Sequence, residues 1–171
     1  MQADPTYAPP NTVAVPPAVG MAKGARIELR WSDAGTTATL MLGGRRVSQA
    51  RGELDGPSGR APKFVRRGKD WFFVFWTFCA TCEAQNYARL GKTTITQKGG
   101  FESGWAPDFP RTGVVYEYPR YESMGKARKV GREVWIQRTW CWSADKRRFV
   151  RLGDTLLRKL PPVPRGRYTQ G

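Results

Sequence analysis

Cys79-Ala80-Thr81-Cys82 is the one spacing in this chain with a chemical signature. Two thiols separated by two residues can close a reversible disulfide or share a metal ion, and both roles use the thiolate. Zinc needs four ligands, usually Cys and His. Cys141 supplies a third thiol, but the chain holds no histidine. A carboxylate such as Glu83, or a cysteine of a neighbouring chain, would have to complete the set. Without that fourth donor, Cys79, Cys82 and Cys141 are small packing side chains, the simplest role for buried thiols.

The run FVFWTFCATC, residues 73–82, resembles the active-site strand of thioredoxins. The resemblance implies an oxidoreductase in which Cys79 and Cys82 form the redox pair. The expected local order matches it. A hydrophobic strand over Asp70–Cys79 leads into a short helix over Thr81–Leu90, capped by Thr81 and ended by Gly91. A helix N-terminus at the cysteines would stabilise a thiolate.

Other catalytic chemistry is poorly supplied. Gly91-Lys92-Thr93 mimics the end of a P-loop, but Asn86 stands where the pattern needs its first glycine. With no histidine, a Ser-His triad cannot be assembled and the common proton shuttle is absent. The acids are scattered, and Glu53 with Asp55 is the one close pair. A non-catalytic protein is the expectation, with no resident cofactor.

Charge is the stronger signal. The chain carries 29 Lys and Arg against 14 Asp and Glu, a formal +15. None of those bases lies in the first 22 positions. From Arg120 onward there are 14 bases and four acids, a local +10. They include Lys126, Arg128, Lys129 and Arg132, then Lys146, Arg147, Arg148 and Arg151. Tyr121, Trp135, Trp140, Trp142 and Phe149 interleave with them. Basic side chains neutralise phosphates and exposed aromatics stack on unpaired bases. The plainer reading is a solvated face over core tryptophans, with Trp31, Trp71 and Trp76 in the core. The surplus exceeds the net charge of about 2 to 8 that solubility needs, which favours a polyanionic partner.

These residues need elements to hold them. Ile27, Leu29 and Trp31 alternate with Arg26, Glu28 and Arg30, the period of a half-buried strand. Thr36–Leu42 is apolar and β-branched, and Gly43-Gly44 supplies the positive φ of a two-residue hairpin turn into a strand over 45–53. Asp70–Cys79 is apolar on both sides, so both its faces should be covered. Strands are also expected over 92–97 and 113–118, with a helical turn or basic loop over 122–129. A hairpin is expected around Ser143-Ala144-Asp145. Asp154 would cap a last helix over Thr155–Leu160.

The expected fold is therefore mainly β: a small antiparallel barrel or sandwich of about seven strands, with two or three short helices. The expected domains are an extended Pro-rich arm over 1–22, a basic β-rich body over 23–160 and a basic tail over 161–171. Five prolines in the arm favour extended chain. No apolar run reaches the roughly 20 residues of a membrane span, and no signal peptide is expected. An odd number of cysteines points to a reducing intracellular compartment, cytoplasm or organelle matrix.

The leading functional expectation is a structural subunit of a large assembly, ribosomal-type or nucleocapsid-type. Its body would contact RNA or DNA and its ends would clamp neighbouring subunits. Lys126, Arg128, Lys129, Arg132, Lys146, Arg147, Arg148 and Arg151 are the expected phosphate contacts. The second is a peripheral subunit of an organellar, mitochondrial respiratory-type complex, meeting anionic lipid or acidic subunits. The third is the thioredoxin-like oxidoreductase.

Overall fold

The computed structural model describes residues 12–32, 35–52, 56–57, 60–79, 82–102 and 113–161, with backbone alone for Gly56, Pro57, Cys79 and Cys82. In chain order the strands are β1 (Thr12–Ala14), β2 (Arg26–Ser32), β3 (Gly35–Leu42), β4 (Arg45–Arg51), β5 (Gly56–Pro57), β6 (Lys63–Arg67), β7 (Asp70–Cys79), β8 (Cys82–Leu90), β9 (Ile95–Glu102) and β10 (Val114–Glu117). Helix α1 (Arg120–Val130), β11 (Trp135–Ser143) and β12 (Arg148–Leu157) complete them. The protein is mainly antiparallel β, as expected. The details differ: the described residues hold twelve strands rather than about seven, and one α-helix plus a single 3-10 turn at Pro17–Val19. Among the described residues three sheets form and no barrel closes.

The sheets stack in three layers. β1-β2-β3-β4 form one outer sheet and β10-β11-β12 the other. Between them β7, β8 and β9 run side by side, with β5 and β6 both pairing with β7. The alternation of β7 explains the middle position. Phe73 and Phe75 pack with Ile27, Leu29, Ala38, Leu40 and Ala50 of the first outer sheet. Phe72, Val74 and Trp76 point the other way and pack with Val115 and Phe149 of the second. Burying a strand on both faces takes a near-continuous apolar run, and this one has it. Each fully buried aromatic contributes roughly 2 to 3 kcal/mol by area.

β8 overturns an expectation. A helix is expected over Thr81–Leu90, capped by Thr81 and ended by Gly91, but residues 82–90 are not helical. They form a strand flanked by β7 and β9, with hydrogen-bond ladders on both sides. Packing decides it: Ala88 lies opposite Phe73 and Ala84 opposite Thr77. Small side chains here leave room for the large rings of β7 on the same face. The predicted helix at Thr155–Leu160 is also strand up to Leu157, which pairs with Trp135. Asp154 caps nothing; it accepts from Arg138 Nε at 3.3 Å and Arg151 Nε at 3.1 Å.

Two polar ties lock the layers. Ser48 Oγ on β4 accepts the Ile95 N–H at 3.0 Å and donates to the Ile95 carbonyl at 3.1 Å. The Trp142 indole N–H on β11 donates to Asp70 at the start of β7, at 2.8 Å. The expected arm joins the body from Thr12 on. β1 pairs with β2, and Val13, Val15, Val19 and Met21 pack on the first core cluster. Residues 1–11 and 162–171 of the expected arm and tail lie outside the described residues.

Candidate nucleic-acid interface

The layer ties place four basic turns at one end of the stack, and the β1–β2 connection with Lys23 joins them because Arg26, at the start of β2, pairs with Met41 beside the β3–β4 turn. β7 starts there at Asp70, and the Asp70–Trp142 bond brings the β11–β12 turn beside the β6–β7 turn. An open groove of about 360 Å³ between them is lined by Arg66, Arg67, Cys141, Trp142 and Ala144, among others. Because β8 returns antiparallel to β7, Leu90 pairs with Trp71 and the β8–β9 turn comes back to the same end. A second open groove, of about 290 Å³, joins Lys69, Arg89 and Lys92 to Val19 and Gly20. In the first outer sheet, Ser48 sits beside Ile95 at the start of β9. At the far end of β4, a Cβ on Gly52 would lie 2.7 Å from the Phe75 ring, deeper along β7. The β3–β4 turn, with Arg45 and Arg46, therefore points to the basic end too.

On or beside these turns the exposed bases are Lys23, Arg45, Arg46, Arg66, Lys69 and Lys92, and then Lys146, Arg147 and Arg148. The acids among the described residues of these turns are Asp145 and Asp70. Asp70 is buried and spoken for: Arg89 Nε and Nη2 donate to its Oδ1 at 3.1 and 2.9 Å, and Trp142 to its Oδ2. Burial alone would raise its pKa. The Trp142 and Arg89 hydrogen bonds and the Arg89 charge outweigh that, so the carboxyl stays below its ordinary value. Asp70 thus cancels little of the outward field, and the end presents nearly unopposed positive charge.

Arg147 sits at φ 52, the sole non-glycine residue with positive φ among those described. A left-handed conformation costs an ordinary side chain roughly 1–2 kcal/mol, and glycine escapes that cost. The turn would close more easily with Gly here. An exposed Arg held in strained backbone is the kind of outlier that accompanies function.

The expected phosphate contacts divide. Lys146, Arg147 and Arg148 belong to the basic end. Lys126, Arg128 and Lys129 are exposed on α1, and Arg132 follows it. These lie toward the opposite end of β11, whose nine residues span about 26 Å at the usual rise. The hairpin register adds Arg158 and Lys159 to that far group, since Leu157 pairs with Trp135. Arg151, also among the expected contacts, pairs with Asp154 and joins an ion-pair network.

That network centres on Arg138, buried beneath α1. It reaches Glu122 at 2.6 Å, Asp154 at 3.3 Å and Glu117 at 3.7 Å. The Glu122 hydrogen bond comes first among the causes that raise the guanidinium pKa, so this arginine stays charged throughout. Burial raises the Glu117 carboxyl despite its bonds to Trp140 and Arg138. Ser123 Oγ accepts the Ile136 N–H at 3.0 Å, seating α1 on β11. The chemistry at this place is support.

The three cysteines do not gather at one place: Cys79 and Cys82 are neighbours, and Cys141 is remote from them. Cys79 and Cys82 pair across the β7–β8 hairpin, so no helix N-terminus follows them and the expected strand-into-helix context is overturned. Cys141 pairs with Val114 near the basic end and is a free thiol. Asp70 neighbours Trp142, and Cys79 lies nine positions further along β7, about 30 Å away at the strand rise. Glu83, the carboxylate considered as a fourth ligand, pairs with Arg60 at 2.9 Å in a buried ion pair. Among the described residues no cluster of three Cys, Asp or Glu could hold a metal ion. No helix among them is long and apolar enough to cross a membrane.

Sequence reading missed Arg66, Lys69 and Lys92 as part of this end. Arg66-Arg67-Gly68-Lys69 directly before the strongest strand is a hairpin-turn signal, with Gly68 at φ 60. Reading 82–90 as helix hid the return of the chain to Lys92. Trp31, expected in the core, is 52% exposed at the far end of β2, whereas Trp76 is buried as expected. No protein-family model, curated protein or solved structure matches this chain.

Proposed function

We propose that this protein is a non-catalytic, nucleic-acid-binding subunit of a nucleoprotein assembly, and that it contacts phosphates with the turns at the basic end of its three-layer stack. The observation that carries this reading is the convergence of nine exposed Lys and Arg on those turns, with Asp70 neutralised internally. Folding brings together bases that are up to 125 positions apart in sequence, from Lys23 to Arg148. A solvated face needs no such convergence.

Phosphate neutralisation releases condensed counterions, so the affinity should fall steeply with salt. The test is fluorescence anisotropy of the full chain with labelled RNA and DNA across a salt series. Arg147→Glu together with Arg148→Glu should weaken binding to every sequence and flatten the salt slope. Absence of binding at low salt overturns the reading. Binding to vesicles containing phosphatidylserine, without binding to nucleic acid, would assign the end to a lipid surface instead.

A further inference from the structure

We infer that the basic end is built for the backbone of a double helix rather than for single strands. The inference rests on the proposed nucleic-acid contact and goes beyond it in naming the form of the ligand.

The first observation is that the described residues present no exposed aromatic ring at the basic end. Proteins that hold single strands stack successive bases on exposed aromatic rings, and those rings supply much of the affinity. The exposed aromatics among the described residues are Trp31, Phe78 and Tyr121, and none belongs to the basic end. Trp31 pairs with Thr36 by the β2–β3 turn, Phe78 flanks the β7–β8 turn, and Tyr121 is on α1. Two half-buried rings line the grooves there, and both are engaged. Trp71, in the groove with Lys69 and Lys92, packs on the first core cluster. The other is Trp142. Phe72 and Phe149 pack on it with centroids at 4.9 and 5.3 Å, and its N–H is held by Asp70.

The second observation is rigidity. The bases project from hairpin turns of three sheets, and those sheets are cross-tied by Ser48–Ile95 and Trp142–Asp70. Stacked sheets lie about 10 Å apart, so the outer turns are about 20 Å apart. Over such a length a duplex carries about 12 phosphate charges at fixed spacing. The tied sheets fix where each base is anchored, so against a duplex only the side chains themselves must order. A flexible strand must be immobilised first, and nothing here repays that. The strained Arg147 adds a base at a fixed position that a relaxed glycine turn would lack.

The experiment measures the full chain against one labelled sequence of about 20 nucleotides in three forms: duplex DNA, duplex RNA and single strand, all at one salt concentration. The expected result is at least about tenfold tighter binding to a duplex than to the single strand; which duplex binds tighter identifies the source. Equal or tighter binding to the single strand overturns the duplex inference while leaving a nucleic-acid contact in place. No binding to any of the three overturns both.

Discussion

Trp142 and Asp70, 72 positions apart, are joined by an indole N–H donated to a buried carboxylate at 2.8 Å. The bond fastens the β11–β12 turn to the β6–β7 turn, so two separately encoded basic segments become one surface. Arg89 holds the other carboxylate oxygen. The same carboxylate therefore positions two turns and keeps its own charge out of the outward field.

Replacing Asp70 with Asn should destabilise the fold by about 2 kcal/mol, since it leaves Arg89 without its charged partner in a part-buried place. Urea unfolding measures this. The pH dependence follows from the depressed carboxyl. Its folded pKa lies below the ordinary value of 3.8. The stabilisation is therefore complete above the ordinary value and is lost as pH falls through the folded one. The stability gap between the native protein and Asp70→Asn should stay constant from neutrality down to the ordinary carboxylate range and close below it. Glu117 and Glu102, lifted by burial, pull the total curve the other way. The difference between the two proteins isolates Asp70. A gap that widens in acid would contradict the assignment.

Arg147→Gly separates function from folding. Glycine relieves the left-handed strain at φ 52 but adds unfolded-chain entropy, so stability should be unchanged or rise by up to about 1 kcal/mol. Binding to nucleic acid should weaken. A variant that loses stability would show that the arginine holds the turn rather than serving a ligand.

Ser48→Ala should cost about 1–3 kcal/mol, because it strips both the Ile95 N–H and its carbonyl of their partner at a layer boundary. A loss below a few tenths of a kcal/mol in urea melts would mean that the two sheets are held by apolar packing alone.

Much of the fold was legible in local pattern. Asp70–Cys79 reads as a two-faced strand because its rings alternate, and its two core clusters use that alternation. Gly43-Gly44 reads as a hairpin turn, with φ 55 and 75 in the structure. What sequence reasoning lost was set by tertiary partners. Thr81 and Gly91 read as the ends of a helix, but a strand between β7 and β9 satisfies both backbone edges and sets the small Ala88 opposite the Phe73 ring. With that strand read as helix, the layer order and the gathering of Arg66, Lys69, Lys92 and Arg147 could not be derived. Proximity in sequence grouped Lys126–Arg132 with Lys146–Arg148; β11 keeps them at opposite ends.

The most direct test of the central claim sets those two ends against each other. Arg66, Lys69 and Arg147 are changed together to Glu in one protein, and Lys126, Arg128 and Lys129 in another. Both proteins carry the same change in net charge. Binding of duplex nucleic acid is then followed by anisotropy as a function of salt. The basic-end variant should lose at least about tenfold in affinity and show a salt slope shallower by about three, one for each lost phosphate contact. The α1 variant should keep most of its affinity. Equal losses in the two proteins, or a larger loss in the α1 variant, would contradict the assignment of the contact to the basic end.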